Sequence, residues 1–471
     1  MAVEIRRTKI VATIGPATAT HERVRALALA GMDAARLNLS HGTHADHSAS
    51  AALVRSVQEE LGKPLALIAD LQGPKLRIGD LAEPRGLVTG EEVTVSGGAN
   101  GRNGELPITP GVASEFLQPG HDVLIDDGLV RLHVEELVGG GRARCRVVVG
   151  GEVRANKGVN LPGVPIPVPS LTEKDLDDLE FALGLGADYV ALSFVRAAAD
   201  VRDLQAIIRE RGSPARVIAK IEKAEAVDAL EDVLAEADCL MVARGDLGVE
   251  IGAATVPLLQ KRIILRCLEA GKPVITATQM LESMIEHAEP TRAEASDVAN
   301  AILDGTSAVM LSAETAIGAY PVEAVRTMDS IARAVEPSMS YRHQHPEAAV
   351  RGDVRRAMSN AATDLAEALG ATAILVATAT GRTASELARL RPRRPMLGMS
   401  HHQEAVQQMA LEWGVLPLLM PSTVDVEDLW ERTIETARAS GIVESGDLVV
   451  LIAGTAVNLS GSTNVIKVDV A

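Results

Sequence analysis

The feature that most constrains the fold is a repeated alternation between short apolar runs and amphipathic stretches. The runs predict buried strands, and the stretches between them have the periodicity of helices. The predicted strands cover residues 9–14, 34–39, 65–70, 189–194, 216–221, 239–243, 273–278 and 307–312. The predicted helices cover residues 21–30, 45–61, 173–183, 198–211, 224–235, 256–270, 292–303 and 322–334. Eight strand-helix units predict an α/β fold of the TIM (β/α)8 barrel type.

Two further regions lie outside the eight strand-helix units. From about Ile78 to Pro169 the sequence is rich in Gly and Val with short alternating runs, which predict a small inserted β domain. It closes with closely spaced prolines that favour a stiff, extended hinge. After a linker near residues 338–346, helices and strands alternate again and predict a small α/β domain. We place the barrel at residues 1–71 and 169–340, the insert at 72–168 and the C-terminal domain at 341–471.

Composition limits the partners and the location. Aromatic residues make up only 2% of the chain, so the core must be built from aliphatic side chains. The formal net charge of −17 argues against nucleic acid or an anionic membrane as a partner, and small anionic substrates would need locally gathered cations. Three widely spaced cysteines, Cys145, Cys239 and Cys267, predict reduced core thiols in a cytoplasmic protein. Neither a signal segment nor a membrane-spanning run is predicted.

Polar residues cluster at the C-terminal ends of the predicted barrel strands. They are Arg36, Asn38, Ser40, Asp70, Lys220, Glu222, Asp246, Thr278, Ser312 and Glu314. Strand alternation would place Lys220 and Glu222 on one face. An exposed ion pair is the plain alternative for these two, but surface charges have no reason to gather at strand ends, where barrel enzymes carry their active sites.

Two turns have the composition of anion sites. In Arg244-Gly245-Asp246-Leu247-Gly248 a strand is followed by an aspartate and free backbone amides, a combination that suits a metal ion and an anion. In the C-terminal domain, residues 378–383 (Thr378, Ala379, Thr380, Gly381, Arg382 and Thr383) precede a helix and could hold a phosphate. An ordinary helix cap explains the second turn equally well.

Six motifs in order resemble those of the pyruvate kinase family. They are ARLNLSHG (35–42), VIAKIE (217–222), MVARGDLGVEI (241–251), ATQMLESM (277–284), PTRAEASDVANAILDG (290–305) and MLSAETAIGAYP (310–321). The resemblance runs nearly end to end. It implies transfer of a phosphoryl group from phosphoenolpyruvate to ADP, giving pyruvate and ATP, in a homotetramer whose inserted small β-barrel acts as a lid.

The resemblance also implies roles for individual residues. Glu222 and Asp246 would bind Mg²⁺ or Mn²⁺, while Lys220 and Arg36 would neutralise the transferring phosphoryl group. The amides of Gly245 and Asp246 would hold the substrate carboxylate beside the hydroxyl of Thr278. Thr278 and Ser312 are both candidates to orient a proton-donating water. The residues expected at the nucleotide are Arg77, which we also count as catalytic, Lys157, His41 and Asn38.

One departure from the family concerns a monovalent cation. Better-known members hold K⁺ at positions that match Asn38, Ser40, Asp70 and Leu71, with a threonine at the Leu71 position and a glutamate at that of Lys75. The chain therefore loses a ligand and a negative charge and gains an ammonium. We expect Lys75 to replace the ion, so that K⁺ is not required; a solvated turn lysine is the alternative.

The resemblance is looser in the C-terminal domain. Some family members bind a sugar phosphate there, on a loop that resembles residues 378–383, but Ala379 replaces a lysine. The late loop at 454–463 carries no arginine for a second phosphate, so a monophosphorylated sugar or AMP is the expected effector. Two rival functions stay open at this point. An aldolase or lyase that forms a pyruvate enolate would need no nucleotide lid, and a catalytically silent sensor would not need to keep the catalytic residues.

Overall fold

The computed structural model of the chain describes residues 5–101, 104–164, 168–339, 353–454 and 463–471. Most of the predicted linker at 338–346 and most of the late loop at 454–463 lie outside these residues.

The first part of the barrel consists of strands and helices at the predicted places. Its elements are β1 (Lys9–Thr13), α1 (His21–Ala30), β2 (Ala34–Asn38), α2 (His44–Leu61) and β3 (Ala66–Asp70). Thr20 and Thr43 begin the two helices, because each side chain accepts a hydrogen bond from a backbone N–H three residues later. At Thr43 the side chain of Asp46 completes a capping box.

The insert forms a second, smaller barrel. Its strands are β4 (Leu76–Ile78), β5 (Arg85–Leu87), β6 (Glu92–Gly97), β7 (Glu105–Thr109), β8 (Asp122–Ile125), β9 (Val130–Leu137), β10 (Arg142–Val149), β11 (Gly151–Val153) and β12 (Gly158–Asn160). Within the described residues, the closed order is β10-β6-β7-β4-β12-β8-β9, and β5 and β11 form a separate sheet. The first and last strands, β4 and β12, pair with each other, so the two connections to the large barrel lie side by side.

The second part of the chain completes the large barrel. Its elements are α3 (Glu173–Gly184), β13 (Tyr189–Leu192), α4 (Ala198–Glu210), β14 (Arg216–Ile221), α5 (Ala224–Asp228), α6 (Leu230–Glu236), β15 (Cys239–Ala243), α7 (Arg244–Ile251), α8 (Val256–Ala270), β16 (Val274–Ala277), α9 (Arg292–Leu303), β17 (Ala308–Leu311), α10 (Ala313–Ala316) and α11 (Pro321–Val335). Among the described residues, the parallel strands close in the order β1-β17-β16-β15-β14-β13-β3-β2. The TIM barrel prediction is confirmed.

Two local predictions in this part were wrong. The helix predicted at 224–235 is two helices, because Ala229, at φ −92° and ψ 20°, leaves helical geometry between α5 and α6. The strand predicted at 189–194 ends at Leu192. Phe194 has a φ of 55°, which is incompatible with a continued strand.

The C-terminal domain is a five-stranded α/β sheet in the described residues. Its elements are α12 (Val354–Leu369), β18 (Ala373–Ala377), α13 (Arg382–Arg389), β19 (Met396–Ser400), α14 (Gln403–Met409), β20 (Val415–Leu419), α15 (Val426–Ala439), β21 (Leu448–Gly454) and β22 (Thr463–Val470). The strand order is β20-β19-β18-β21-β22, and β22 alone among these strands runs antiparallel.

The N-terminal end of the large barrel is closed by residues 408–415 of this domain, here called the plug segment. Ala410 and Leu411 pack inside the barrel in one aliphatic cluster with the inward-facing side chains of its strands. Lys9 Nζ donates a hydrogen bond to Val415 O at 2.7 Å. Trp413, 1% exposed, has the guanidinium carbon of Arg391 4.4 Å from its ring centre.

A group of charged side chains surrounds this closed end. Arg6 donates to Asp33 at 2.8 Å and to Asp329 at 2.7 Å, and Lys63 lies 3.8 Å from Asp33. We call these four residues the basal cluster. Asp33 also accepts a hydrogen bond from the N–H of Ile10 at 2.9 Å.

None of the helices that the structure describes is both long and apolar enough to span a membrane.

Candidate active site

The ammonium of Lys220 lies at the centre of a buried charged cluster at the C-terminal end of the large barrel. Its Nζ is 3.0 Å from Glu222 Oε1, 3.3 Å from Asp70 Oδ1 and 2.7 Å from Ser193 Oγ. Lys220 lies on β14 and Glu222 directly follows that strand, and the two side chains meet as predicted. Their side chains are 12% and 1% exposed, which rules out an ordinary surface ion pair.

The protonation states in this cluster follow from the neighbouring charges. Burial alone would lower the pKa of Lys220, but the carboxylates of Asp70 and Glu222 outweigh it and raise that pKa. Burial alone would raise the pKa of Asp70, and here Lys220 and Arg36 outweigh it and lower that pKa. The site therefore holds a fixed ammonium and a fixed carboxylate.

Arg36 supplies a second fixed cation. Its Nε donates to Asp70 Oδ2 at 2.6 Å, and its Nη1 donates to Thr13 Oγ1 at 3.0 Å. The hydroxyl of Thr13 in turn donates to Leu311 O at 2.9 Å. Two cations that share one aspartate can neutralise a multiply charged phosphoryl group.

Glu222 and Asp246 have the properties of a divalent cation site. Burial raises the pKa of Glu222 and the nearby charge of Asp246 raises it further, although Lys220 acts in the opposite direction. Phe194 N–H donates to Glu222 Oε2 at 2.7 Å and fixes its orientation. Their carboxylate oxygens are the hard ligands that Mg²⁺ prefers. The described residues contain no group of three His, Cys, Asp or Glu side chains placed to hold a metal ion, so water and substrate would supply the other ligands.

The start of α7 faces a strained turn. Thr278 and Gln279 have φ angles of 74° and 55°. A Cβ at position 245 would lie 2.8 Å from Thr278 Cγ2, so this close approach requires a glycine. Arg244 holds the turn, since it donates to Thr278 O at 2.7 Å and pairs with Asp297 at 2.7 Å.

The cleft between the barrel and the insert carries both acidic and basic side chains. A cavity of about 880 Å³ is lined by carboxylates, among them Asp122, Asp127, Glu282 and Asp297, and also by Lys75, Arg131 and Arg244. The neighbours of His41 are basic. Burial lowers the pKa of His41, and the charges of Arg77, Lys75 and Arg36 lower it further. A polyanion would be attracted to the side of His41.

Comparisons with known proteins agree with this geometry. The family pattern described as "Pyruvate kinase, barrel domain" matches residues 5–325, and "Pyruvate kinase, alpha/beta domain" matches residues 356–469. The pyruvate kinase of Mycobacterium intracellulare is 46% identical over 465 residues, which cover 98% of both chains. Pyruvate kinase 2 of a Synechocystis species is also 46% identical and spans 99% of this chain and 79% of its own. The pyruvate kinase of Agrobacterium vitis is 43% identical over 99% and 98% of the two chains. The chain belongs to the pyruvate kinase family.

The reaction is therefore transfer of a phosphoryl group from phosphoenolpyruvate to ADP, which yields pyruvate and ATP. Membership of the pyruvate kinase family also implies a divalent metal ion. The aldolase or lyase and the silent sensor are thereby set aside.

Of the nucleotide residues expected for a pyruvate kinase, two lie on the insert side of the cleft. Gly158 pairs with Arg77 across β4 and β12, so Lys157 is close to Arg77 in the sheet. Their side chains have other partners, however. Arg77 donates to Asn156 O at 3.0 Å, and Lys157 pairs with Asp126 at 2.9 Å.

The residues predicted to match a monovalent cation site lie close to the Lys220 cluster. Asn38 Oδ1 accepts a hydrogen bond from the N–H of Ser40 at 3.2 Å. The Leu71 side chain is buried among aliphatic residues, and its carbonyl accepts from Ser193 Oγ at 2.7 Å. Lys75 is half-buried and lines the cleft.

Ser312 follows β17 at the same end of the barrel. Its N–H donates to Glu314 Oε2 at 2.7 Å, and Glu314 Oε1 accepts from Leu281 N–H at 3.1 Å. In the part of the chain that the structure describes, no hydrogen bond joins the Ser312 side chain to Lys220 or Thr278.

In the C-terminal turn at 378–383, two hydroxyls are used within the domain. Gly381 N–H donates to Thr378 Oγ1 at 3.1 Å within the turn, and no side chain caps α13, whose N-cap residue is Gly381. Thr383 Oγ1 is buried 2.7 Å from Thr463 Oγ1. Thr380 and Arg382 instead line a cavity of about 720 Å³ between this domain and the N-terminal end of the barrel.

Sequence reasoning missed three residues of the site: Thr13, Ser193 and Arg244. Thr13 ends β1 and Ser193 directly follows β13. The sequence analysis predicts polar site residues at the ends of the other six barrel strands but not of these two. A barrel strand without a predicted site residue is therefore a place to look for a further one. Arg244 lies inside a family motif, but its role in holding the Thr278 turn depends on contacts that the sequence does not display.

Proposed function

We propose that Lys220 and Arg36 bind and neutralise the phosphoryl group as it leaves phosphoenolpyruvate for ADP. The observation that carries this proposal is the position of two fixed cations around the single carboxylate of Asp70. In a chain with a net charge of −17, this cluster supplies the local positive charge that an anionic substrate needs. Such contacts accelerate phosphoryl transfer when they strengthen in the transition state.

We propose Mg²⁺ or Mn²⁺ as the divalent ion, bound by Glu222 and Asp246. Bound there, it would supply positive charge that polarises the oxygens of the substrate. The raised pKa of Glu222 supports this assignment, because a cation relieves the repulsion between the two carboxylates.

We propose that the amides of Gly245 and Asp246 and the hydroxyl of Thr278 hold the substrate carboxylate. The close approach of Gly245 to Thr278 supports a shared ligand at this point. Thr278 lines the cleft and Ser312 does not line that cavity, so Thr278 is the better candidate to orient the water that protonates the enolate.

We propose that the nucleotide binds on the basic side of the cleft, near Asn38, His41 and Arg77. The insert would close over it as a lid that excludes water, with Lys157 exchanging Asp126 for a phosphate. The positive charges of Arg77, Lys75 and Arg36, which act on His41, support this placement.

We propose that Lys75 replaces the monovalent cation. Its charge acts on His41, so the ammonium lies on the basic side of the cleft. Leu71 offers no side-chain oxygen, and Asp70 is already paired with Arg36 and Lys220. These contacts leave an incoming K⁺ with few free ligands.

Regulation, assembly and location complete the proposal. A monophosphorylated sugar or AMP would bind at residues 378–383 through Thr380, Gly381 and Arg382, since the hydroxyls of Thr378 and Thr383 are engaged. We also propose a homotetramer, by analogy with the family, and a cytoplasmic location, which the three buried, free cysteines support.

The decisive experiment is a steady-state assay with phosphoenolpyruvate and ADP, with and without Mg²⁺ or Mn²⁺. Glu222→Gln tests the metal assignment, because it removes a charge and keeps the volume. We expect a large rise in the Mg²⁺ concentration needed for half-maximal rate. An unchanged Mg²⁺ dependence in this variant would refute the assignment of Glu222.

A further inference from the structure

Ser193 lies where three strands of the catalytic end meet. It directly follows β13, which is hydrogen-bonded to β3 on one side and to β14 on the other. The residue is 2% exposed. Its hydroxyl accepts a hydrogen bond from Lys220 Nζ on β14 and donates one to Leu71 O after β3, both at 2.7 Å. The side chain therefore joins the two neighbouring strand ends.

The hydrogen bond to Leu71 gives the hydroxyl a fixed direction. A serine hydroxyl has one proton, and because Leu71 O accepts it, a lone pair is left facing Lys220. The other partners of the ammonium, Asp70 and Glu222, are carboxylates whose attraction depends on distance more than on direction. The carboxylates keep Lys220 charged, and the hydroxyl determines where the ammonium points.

The next residue fixes the metal-binding carboxylate in the same way. Phe194, which has a φ of 55°, donates its N–H to Glu222 Oε2 at 2.7 Å. Gly73 packs directly over this dipeptide, because a Cβ there would lie 2.9 Å from Phe194 Cδ2 and 3.0 Å from Ser193 Cβ. The turn after β3 thus holds residues 193 and 194 in place.

We propose that Ser193 is a positioning residue for catalysis, which sets the Lys220 ammonium while the adjacent Phe194 N–H sets Glu222. This inference rests on the role proposed above for Lys220. One dipeptide then aligns the cation that meets the phosphoryl group with the carboxylate that binds the metal ion.

The test compares Ser193→Ala, Ser193→Cys and Ser193→Thr with the wild type. In Ser193→Ala we expect kcat to fall by roughly 10- to 100-fold, since a misplaced catalytic group costs about this much. The Kd of phosphoenolpyruvate, measured calorimetrically with Mg²⁺ and without ADP, should change less than about threefold because the charges remain. Ser193→Thr keeps the hydroxyl and should recover most of kcat, whereas Ser193→Cys, a weak acceptor, should not.

Two controls separate the possible failures. Ser50→Ala removes a buried hydroxyl from α2 in the outer ring of helices and should leave kcat unchanged.

Lys220→Met tests the underlying assignment: if it stays active, the role proposed for Lys220 fails. If Lys220→Met is inactive while Ser193→Ala or Ser193→Cys keeps kcat within twofold of the wild type, the positioning role of Ser193 is overturned. A loss that appears only in Kd, with kcat unchanged, would overturn it as well. If Ser193→Ala does not fold, the proposal is tested by comparing kcat between Ser193→Cys and Ser193→Thr. Equal kcat values in these two variants would overturn it.

Discussion

The two ends of the large barrel both carry buried charges, yet the charges are arranged differently. At the N-terminal end, the carboxylates of the basal cluster have cations as direct partners, and Asp33 also accepts a backbone N–H. At the C-terminal end, Lys220 and Arg36 share Asp70, while Glu222 faces the additional charge of Asp246. One end is closed by the plug segment, and the other opens onto the cleft.

The pKa values of two carboxyl groups express this difference. Burial alone would raise the pKa of Asp33, but Arg6, Lys63 and Lys9 lower it to about 2. At the other end, burial raises the pKa of Glu222 and Asp246 raises it further, in spite of Lys220. Buried charge by itself therefore does not indicate function. A raised pKa by itself does not indicate function either, since burial also raises the pKa of Glu412 in the plug segment; at Glu222 the additional charge of Asp246 is what points to a cation.

The largest expected effect is loss of turnover in Lys220→Met. The substitution removes a charge that acts most strongly in the transition state, so kcat should fall by about 10³-fold or more. Substrate binding should change little, and kcat is measured on the folded fraction, because loss of the ammonium leaves Asp70 and Glu222 buried with one counter-charge fewer. Near-normal turnover would show that the C-terminal cluster is as structural as the basal one.

Asp33→Asn should instead lower the stability of the fold and leave turnover unchanged. It leaves Arg6 and Lys63 buried with one counter-charge fewer, and breaking such a pair costs about 3–5 kcal/mol of unfolding free energy. The kcat of the folded fraction should be unchanged. Urea unfolding and activity, measured on one preparation, check both points, and a variant as stable as the wild type would contradict the comparison.

The pH dependence of the unfolding free energy provides a control for the Asp33→Asn prediction. Since its pKa in the folded state lies below the ordinary value of 3.8, the carboxylate stabilises the fold fully above pH 3.8 and loses this contribution as the pH falls towards 2. The stability difference between wild type and Asp33→Asn should be constant from pH 7 to 5. It should narrow only below about pH 4.

Gly245→Ala should have a smaller effect, confined to the catalytic end. The new Cβ would meet Thr278 Cγ2 at 2.8 Å and push apart the two groups proposed to hold the substrate carboxylate. We expect kcat/KM for phosphoenolpyruvate to fall by roughly 10- to 100-fold. Gly248→Ala is a matched control on the same helix, because its Cβ would have ordinary contacts beyond 3.4 Å. Equal losses in both variants would count against the assignment.

The smallest expected effect is that of K⁺. If Lys75 supplies the monovalent charge, replacing Na⁺ by K⁺ should raise the initial rate less than ~10-fold, which corresponds to about 1.4 kcal/mol of barrier. Lys75→Glu should lower the rate without K⁺, and added K⁺ should restore part of it. Stronger activation of the wild type would indicate that Lys75 is only a solvated turn residue.

The sequence predicts the fold well because each barrel strand is a short apolar run that is followed by residues typical of a turn. It also predicts that Lys220 and Glu222 share a face, because alternation along one strand is local. It does not show that Asp70, Ser193 and Lys220 meet. That contact exists only after barrel closure places β13 between β3 and β14. Whether a threonine of the 378–383 turn faces solvent or Thr463 likewise depends on packing with a distant strand.

The placement of Trp413 gives this protein an internal fluorescent probe. The chain has two tryptophans, and the second, Trp430, lies on α15 and packs against the core of the C-terminal domain. Trp413 lies on the plug segment beside Arg391, in the closed end of the barrel. Separation of the C-terminal domain from the barrel would remove the barrel side of its buried surroundings and expose the indole ring to water, while the surroundings of Trp430 stayed the same. In a Trp430→Phe background, the emission maximum would then follow the docking of the two domains directly, without an attached label.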